Sequence, residues 1–382
     1  MRVSLSTMLV SLSTMLLAAQ LAPLATADAG SSDAWPYSVQ PFFLSALNQA
    51  LTPADASYLG GLPVVVINHK QGGAPGYEEE RQLAALSLVR AANASCATFF
   101  YLNSLIDFSP LELHSEMVKN GSWWYKTDAG AYITHNSDKI FDMSVEAARN
   151  AWLATAQHAL SQPYISGVFV DKAGGFGAKG VSPAREAAWI AGHSELLREL
   201  GAAAVASKKK LIFNNEHAIG VAGQLFERWG QKTDHDLLSV PDDIKLLANL
   251  TGTSNTGQFS LARAGGVTPG TANSTSPEVC AAALAAMLMG ANSPMTAFFA
   301  CEPDFNSKDG WMNLNQQPFY DYYLGAPKGA AVVGKDGLMT RAFDGATVTL
   351  STTSFQSSRG NLNSGCVQWA SGETTGVCPT TV

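Results

Sequence analysis

The chain is short of charge and has no extended basic run. Charged residues make up 14% of its 382 residues, against about 25% in a typical soluble protein. Its 24 basic and 31 acidic residues leave a net charge of −7, and the longest basic run is the three lysines at 208–210. A protein that binds nucleic acid needs a positively charged surface. We therefore expect no nucleic-acid partner.

Motifs for metal, nucleotide and serine-nucleophile chemistry are also missing. The sequence has no CxxC, HExxH or His-x-His spacing that would hold zinc. It has no GxSxG nucleophile elbow, and Asp336 follows Gly334-Lys335 where a phosphate loop needs Ser or Thr. We therefore expect no metal and no cofactor, and a lyase or esterase is the least favoured class of enzyme.

Only the N-terminus carries a long apolar run. Arg2 is the only charge before Asp28, the heptad VSLSTML occurs twice in tandem, and the small residues Ala25-Thr26-Ala27 follow soon after Pro23. This pattern predicts a secretory signal peptide over residues 1–27. No later segment has the 18 or so apolar residues of a membrane span. We expect a secreted chain that is not anchored in a membrane.

The cysteines and glycosylation sequons suit a secreted protein. There are five cysteines, so at least one is free or pairs between chains. Cys366 and Cys378 share a polar C-terminal tail with little core of its own, and we predict a disulfide between them. N-x-[ST] sequons begin at four asparagines, which are Asn93, Asn120, Asn249 and Asn273.

Eight apolar, β-branched runs predict the strands of a (β/α)8 TIM barrel. They cover 62–68, 97–103, 139–143, 165–171, 210–215, 223–229, 257–263 and 294–300. Helical segments lie between most of them, at 77–92, 109–119, 144–160, 182–206, 234–250 and 276–289. Continuous apolar strands have both faces buried, as parallel sheets require. A doubly wound sheet is the alternative, but it usually has a Gly-rich first turn, which is missing here.

The residue pattern of the sequence changes near the C-terminus. Asp344-Gly345 separates two β-rich runs within 338–353, which is a strong hairpin signal. We predict a barrel over 28–325 and a small β extension over 326–382.

Catalytic groups of such barrels lie at the C-terminal ends of the strands. In strand order the polar candidates there are Asn68, His69, Asn103, Asp142, Asp171, Asn214, Asn215, Glu216, Glu227 and Arg263. Asp171 follows the apolar run Gly167-Val168-Phe169-Val170, where a carboxylate has no evident structural reason to be. Glu227 lies between Phe226 and Trp229, and burying an acid there is costly unless it is used.

Two carboxyl groups across a barrel mouth suit glycoside hydrolysis. We expect Asp171 as the nucleophile, because adjoining Lys172 favours its ionised form, and Glu227 as the acid, because its neighbours are apolar. Flat rings such as that of Trp124 stack on sugars, and polar strand ends bind hydroxyl groups. The predicted carbohydrate-binding residues are Asn68, His69, Asn103, Trp124, Asp142, Asn214, Asn215 and Arg263.

An ordered series of segments resembles (β/α)8 glycoside hydrolases of uncharacterised families, similar in layout to the endo-α-1,4-polygalactosaminidase type. The segments are FDMSVEAARNAW at 141–152, ISGVFVDKA at 165–173, LIFNN at 211–215, QLFERW at 224–229 and the stretch 323–352. The resemblance implies an acid pair from strands four and six, which are Asp171 and Glu227. It departs at 172–175, where Lys-Ala-Gly-Gly replaces the usual second acid.

Two alternatives stay open. An α-amylase-like layout would place the acid on strand five, at Glu216, but it also needs an Asp on strand seven, and the stretch 257–265 has none. A barrel that binds carbohydrate and has lost catalysis would show the same strands and the same polar strand ends. The two functions differ in whether the carboxylates converge.

Overall fold

The computed structural model describes most of the barrel and the C-terminal extension. The described residues are 38–45, 50–68, 78–174, 176–214, 222–227, 229, 242, 244–248, 259–264, 277–291, 297–301, 317–335, 337–351 and 364–379. The predicted leader, the sequons at Asn249 and Asn273, and the candidates His69, Asn215 and Glu216 lie outside these residues.

Eight parallel strands form a nearly closed barrel, as predicted. In sheet order they are β1 (Phe42–Ser45), β2 (Val64–Ile67), β3 (Ala97–Asn103), β7 (Gly167–Asp171), β8 (Lys210–Asn214), β9 (Ala222–Phe226), β10 (Ser260–Ala264) and β11 (Ala297–Cys301). The backbone N–H of Phe299 in β11 donates to the carbonyl of Gln40, just before β1, at 2.8 Å. This bond links the last strand to the segment just before the first.

Six helices are described in full. They are α1 (Pro53–Gly60), α2 (Glu78–Ala92), α3 (Glu112–Lys119), α4 (Glu146–Ser161), α5 (Pro183–Ala206) and α6 (Pro277–Gly290). The predicted helical segment 182–206 is confirmed as α5, with Ser182 as the N-cap and Pro183 at the first helical position. The buried residues of α5 recur every three or four positions, from Trp189 through His193 to Leu200, so one stripe of the helix faces the barrel. Among the described helices, none is both long and apolar enough to cross a bilayer.

One predicted strand is wrong, and one strand of the barrel was not predicted. The barrel begins with β1, a strand of four residues that was not among the predicted apolar runs. The run 139–143 is not a barrel strand: residues Asp138–Ile140 form β6 of a small antiparallel sheet, with β4 (Ile106–Asp107) and β5 (Thr134–His135). This sheet belongs to an excursion between β3 and α4. The two errors compensate, so the predicted fourth to eighth strands keep their positions in the barrel.

The C-terminal extension is a five-stranded antiparallel sheet. Its strands are β12 (Val332–Val333), β13 (Leu338–Ala342), β14 (Ala346–Ser351), β15 (Gly365–Trp369) and β16 (Thr374–Gly376). The predicted hairpin at Asp344-Gly345 is confirmed, because β13 pairs with β14 across it. The sheet packs on α6, whose residues are buried from Val279 to Gly290. A helix that is apolar all round must be covered on all sides, and here the barrel and the extension share that burial.

Two disulfides are present in the described chain. Cys366 and Cys378 are bonded as predicted, with their Cα atoms 4.8 Å apart. Cys280, at the start of α6, is bonded to Cys301, at the end of β11. The odd cysteine is Cys96, which is buried and free, and burial raises the pKa of its thiol to about 12.

Arg341 ties the extension to the barrel. Its side chain is 3% exposed, and Nη1 donates to the carbonyls of Leu288, Met289 and Ala291 at 2.8, 3.0 and 2.5 Å. Nε donates to the carbonyl of Gly329 at 3.0 Å. These acceptors include the carbonyls that end α6, where a cation also meets the negative end of the helix dipole.

We expect Arg341→Met to lower the free energy of unfolding by about 3 kcal/mol, because several buried carbonyls lose their donor. Arg341→Lys keeps the charge without the guanidinium fork and should lose about half as much. Urea denaturation followed by tryptophan fluorescence measures both. A loss below about 0.5 kcal/mol for the Met variant, the range of an ordinary surface substitution, would contradict this role.

Candidate functional site

Four donors surround the carboxylate of Asp171 at the end of β7. The Tyr101 hydroxyl donates to Oδ2 at 2.6 Å, and the Asn103 amide donates to the same oxygen at 3.1 Å. The backbone N–H of Lys172 and the amide of Asn214 donate to Oδ1 at 2.8 and 2.7 Å. An ionised carboxylate has about four acceptor positions, so this set of donors fits the charged form and fixes its plane.

Neighbouring strands of the barrel deliver these groups. Asn103 of β3 is in register with Asp171 of β7, and Asn214 ends the next strand, β8. Side chains alternate between the two faces of a strand, so Tyr101 and Asn103 share the inward face with Asp171. The Tyr101 ring stacks on Phe169, with centroids 5.8 Å apart. The apolar strands therefore place their last inward residues together at the barrel mouth.

Asn214 also joins Asp171 to Glu227. Its Nδ2 donates to Glu227 Oε2 at 3.1 Å and to Asp171 Oδ1 at 2.7 Å. One nitrogen thus contacts both carboxylates, so the two oxygens are no more than about 5.8 Å apart. With the two amide hydrogens at about 120°, the separation is about 5 Å.

The two carboxyl groups reach the surface and the groups that hold them do not. Asp171 and Glu227 are partly exposed. Tyr101, Asn103 and Asn214 are 2%, 1% and 4% exposed. Burial, together with the neighbouring charge of Asp171, raises the pKa of Tyr101 well above its usual value. The Tyr101 hydroxyl therefore keeps its proton and stays a donor to Asp171.

Two contacts near the candidate acids were not expected from the sequence. Lys172 contributes its backbone N–H to Asp171, and no ion pair between the two side chains is found among the described residues. Phe226 and Trp229 do not enclose Glu227. They pack against each other, with centroids 5.0 Å apart, in the core that α6 shares. Alternation explains this, because Phe226 points outward and the next residue points to the barrel axis.

Of the other predicted binding residues, Asn68 and Arg263 lie with the barrel strands, and Asp142 and Trp124 lie elsewhere. Asn68 follows β2 directly, and Arg263 lies on β10 with 0% exposure, on the same face as Leu261 in the barrel core. Asp142 instead lies in the turn before α4, where its Oδ1 accepts hydrogen bonds from the backbone and hydroxyl of Ser144 at 3.1 and 2.5 Å. It therefore supports the start of that helix.

Trp124 is a packed residue of the excursion. It is 5% exposed, its Nε1 donates to Asp107 Oδ2 at 2.7 Å, and Lys139 Nζ lies 3.3 Å from the ring centroid. His114 contacts the same Asp107 oxygen at 2.9 Å. Burial raises the pKa of Asp107. These contacts account for Trp124 without a sugar on its ring.

Sequence reasoning missed three residues around Asp171, which are Tyr101, Ser104 and His193. Tyr101 lies inside the apolar run 97–103, two positions before Asn103 and so on the same face of the strand. Ser104 and His193 carry no sequence signal, because β3 and α5 meet only in the folded barrel. No group of three or more His, Cys, Asp or Glu that could hold a metal occurs in the described part of the chain.

Comparison with known proteins identifies a family. No curated protein matches the chain. Similar solved structures include the glycoside hydrolase domain of PelA from Pseudomonas aeruginosa, with 15% identity over 58% of this chain and 82% of that one and a TM-score of 0.39. A xylosidase from Aspergillus niger has 13% identity over 75% and 46% of the two chains and a TM-score of 0.43. The model of hypothetical glycosyl hydrolase family 15 matches residues 90–347. That match spans more than half of the sequence, and the chain therefore belongs to this glycoside hydrolase family.

Proposed function

We propose that the protein is a secreted hydrolase that cleaves O-glycosidic bonds in a poly- or oligosaccharide with retention of configuration. Asp171 is the nucleophile and Glu227 is the general acid/base. The observation that carries the proposal is the Asn214 amide, which donates to both carboxyl groups. Their separation of at most about 5.8 Å agrees with the roughly 5–5.5 Å of retaining enzymes and is below the roughly 6.5–9.5 Å of inverting ones.

The reaction takes two displacements at the anomeric carbon. In the first, an oxygen of Asp171 forms a bond to that carbon while the glycosidic bond breaks, and Glu227 gives its proton to the leaving oxygen. In the second, Glu227 removes a proton from a water molecule, whose oxygen attacks the same carbon and releases Asp171. The sum is one glycosidic bond and one water converted into two hydroxyl-bearing products.

The hydrogen bonds support particular roles for these groups within this scheme. Glu227 Oε2 accepts from Asn214, which favours Oε1 as the oxygen that carries the transferred proton. All four donors of Asp171 come from buried or backbone groups, so the carboxylate is held in place before substrate arrives. Both polar atoms of the Asn103 side chain already have protein partners, because its Oδ1 accepts from the backbone N–H groups of Leu105 and Ile106 at 2.9 and 2.7 Å. We therefore propose Asn103 as a positioning residue, and Asn68 and Arg263 as substrate contacts.

Secretion is part of the proposal. The leader-like N-terminus supports it, and so do the two disulfides, which persist in oxidising compartments. The carbohydrate substrate would then be met outside the cell.

Product stereochemistry tests the proposal. The protein is incubated with a panel of oligosaccharides, and proton NMR records the anomer formed first, before mutarotation. Retention is expected, and an inverted first product would contradict the assignment. In a second arm, an activated 2-deoxy-2-fluoro glycoside should add one sugar mass to the peptide that contains Asp171, and Asp171→Asn should stay unlabelled. Sugars that bind but are never cleaved would favour the carbohydrate-binding barrel.

A further inference from the structure

The residue after Asp171 has an unfavourable backbone conformation. Lys172 has φ +55°, in the left-handed region that residues other than glycine rarely occupy. The same residue donates its backbone N–H to Asp171 Oδ1 at 2.8 Å. This N–H lies in the same peptide plane as the carbonyl of Asp171, so a group that holds that carbonyl also fixes the direction of the N–H. Strained residues of this kind persist only where their surroundings hold them.

Ser104, the residue directly after β3, holds this turn. Its Oγ lies 2.9 Å from the carbonyl oxygen of Lys172 and 3.2 Å from that of Asp171, and its backbone N–H donates to the Asp171 carbonyl at 2.9 Å. The side chain is 0% exposed. Ser104 therefore fixes the carbonyls on both sides of the strained residue.

His193 of α5 supplies the next link. Its Nε2 lies 3.0 Å from Ser104 Oγ. The single hydroxyl proton of Ser104 is used on the carbonyls, so the imidazole is the donor and carries hydrogen on Nε2. The ring stacks on Trp189, with centroids 4.9 Å apart and planes at 13°. His193 is 4% exposed, and burial lowers its pKa to about 4, so the ring is neutral near pH 7.

We propose that His193 and Ser104 are positioning residues for the nucleophile: His193 donates to Ser104, Ser104 donates to the carbonyls that flank the Lys172 peptide, and this chain holds the Lys172 N–H on Asp171. The proposal rests on the function proposed above for Asp171. It assigns a buried histidine and serine to aiming the carboxylate, not to proton transfer, because neither side chain reaches the barrel mouth.

The test compares two replacements of the histidine. His193→Phe keeps a ring to stack on Trp189 and removes the donor, whereas His193→Gln places an amide N–H near the original Nε2. The Phe variant should lose about tenfold in kcat with KM within about twofold, since misaimed groups slow the chemical step. The Gln variant should recover most of that loss. Equal losses in both variants would overturn the proposal.

Coupling and backbone exchange give two further readouts. Ser104→Ala should lose about tenfold in kcat, and Ser104→Ala combined with His193→Phe should lose no more, because the two act through one chain. Additive losses would overturn the proposal. Amide hydrogen exchange at Lys172, measured by NMR, should become about tenfold faster in Ser104→Ala, and unchanged exchange would also overturn it. Amide exchange needs no substrate, so the two proposals can fail separately. If the protein cleaves no sugar but Ser104→Ala still speeds exchange at Lys172, the proposed hydrolase function is contradicted and the positioning chain is supported.

Discussion

Asp171→Asn is expected to lower kcat about a thousandfold or more on any glycan that the protein cleaves. The amide is a far weaker nucleophile than a carboxylate, so no covalent intermediate forms. It also brings an N–H toward donors that now point at oxygen, namely Tyr101, Asn103 and Asn214. Initial-rate kinetics on the cleaved oligosaccharide measures the loss.

The matched control is Asp128→Asn, which makes the same chemical change at an exposed position paired with Arg185. Its kcat should stay within about twofold, since surface substitutions away from special features have small effects. Thermal unfolding of both variants checks that the fold is intact. An Asp171→Asn protein that keeps more than a tenth of the activity would remove Asp171 from the nucleophile's role.

The companion change, Glu227→Gln, separates the two displacements. Without the acid, a natural leaving group departs unprotonated, so kcat on an oligosaccharide should also fall about a thousandfold. An aryl glycoside with an acidic leaving group needs no protonation, so it should still form the intermediate. Azide should then restore turnover of that substrate, because it attacks without a general base.

Glu216 lies outside the described residues and is the alternative acid. If Glu216→Gln abolishes activity and Glu227→Gln leaves it intact, the acid comes from the segment after β8. If neither change lowers the activity, neither residue is the general acid and the proposed mechanism fails.

The barrel could be predicted because its strands stand out in the sequence as continuous apolar runs. The runs around Phe99, Phe169 and Ile212 are apolar on both faces, and parallel barrel strands need this. The same signal failed at 139–143, because a short apolar run is equally compatible with an antiparallel excursion. It also missed β1, which has four residues and depends on its neighbours for its pairing.

The positions of the two candidate acids could be predicted from the sequence, but the contact that joins them could not. Asp171 and Glu227 were identifiable because a carboxylate at the end of an apolar strand is unusual. The bridge through Asn214 was not, because β8 and β9 set its geometry in space. Adjacency in the sequence was misleading for the same reason. Lys172 follows Asp171 in the chain, but among the described residues its side chain makes no ion pair with Asp171. Phe226 precedes Glu227, but its side chain faces the outer core.

Asn214 is expected to matter more than any other non-acidic residue of the site. Asn214→Ala removes the donor shared by Asp171 and Glu227, and with it the contact that sets their separation. We expect a loss of about a hundredfold in kcat, in the range seen when one preorganised donor is removed. Tyr101→Phe is the matched control, because it removes one donor from Asp171 Oδ2 and keeps the hydrogen bond between Asn214 and Glu227. It should lose about tenfold, the energy of one hydrogen bond to a charged group.

Asn214→Asp sharpens the same prediction. It places a third carboxyl group against the other two, and a like charge disfavours the ionised form of each neighbour. Both limbs of the pH–activity profile should therefore move to higher pH, since the nucleophile loses its proton later and the acid keeps its proton longer. Asn214→Leu keeps a side chain branched at Cγ without charge or hydrogen-bonding groups, so it should lower the rate with a smaller displacement of the profile. Equal losses in Asn214→Ala and Tyr101→Phe, with an unmoved profile in Asn214→Asp, would mean that Asn214 supports Asp171 alone and that the two acids do not act as a pair.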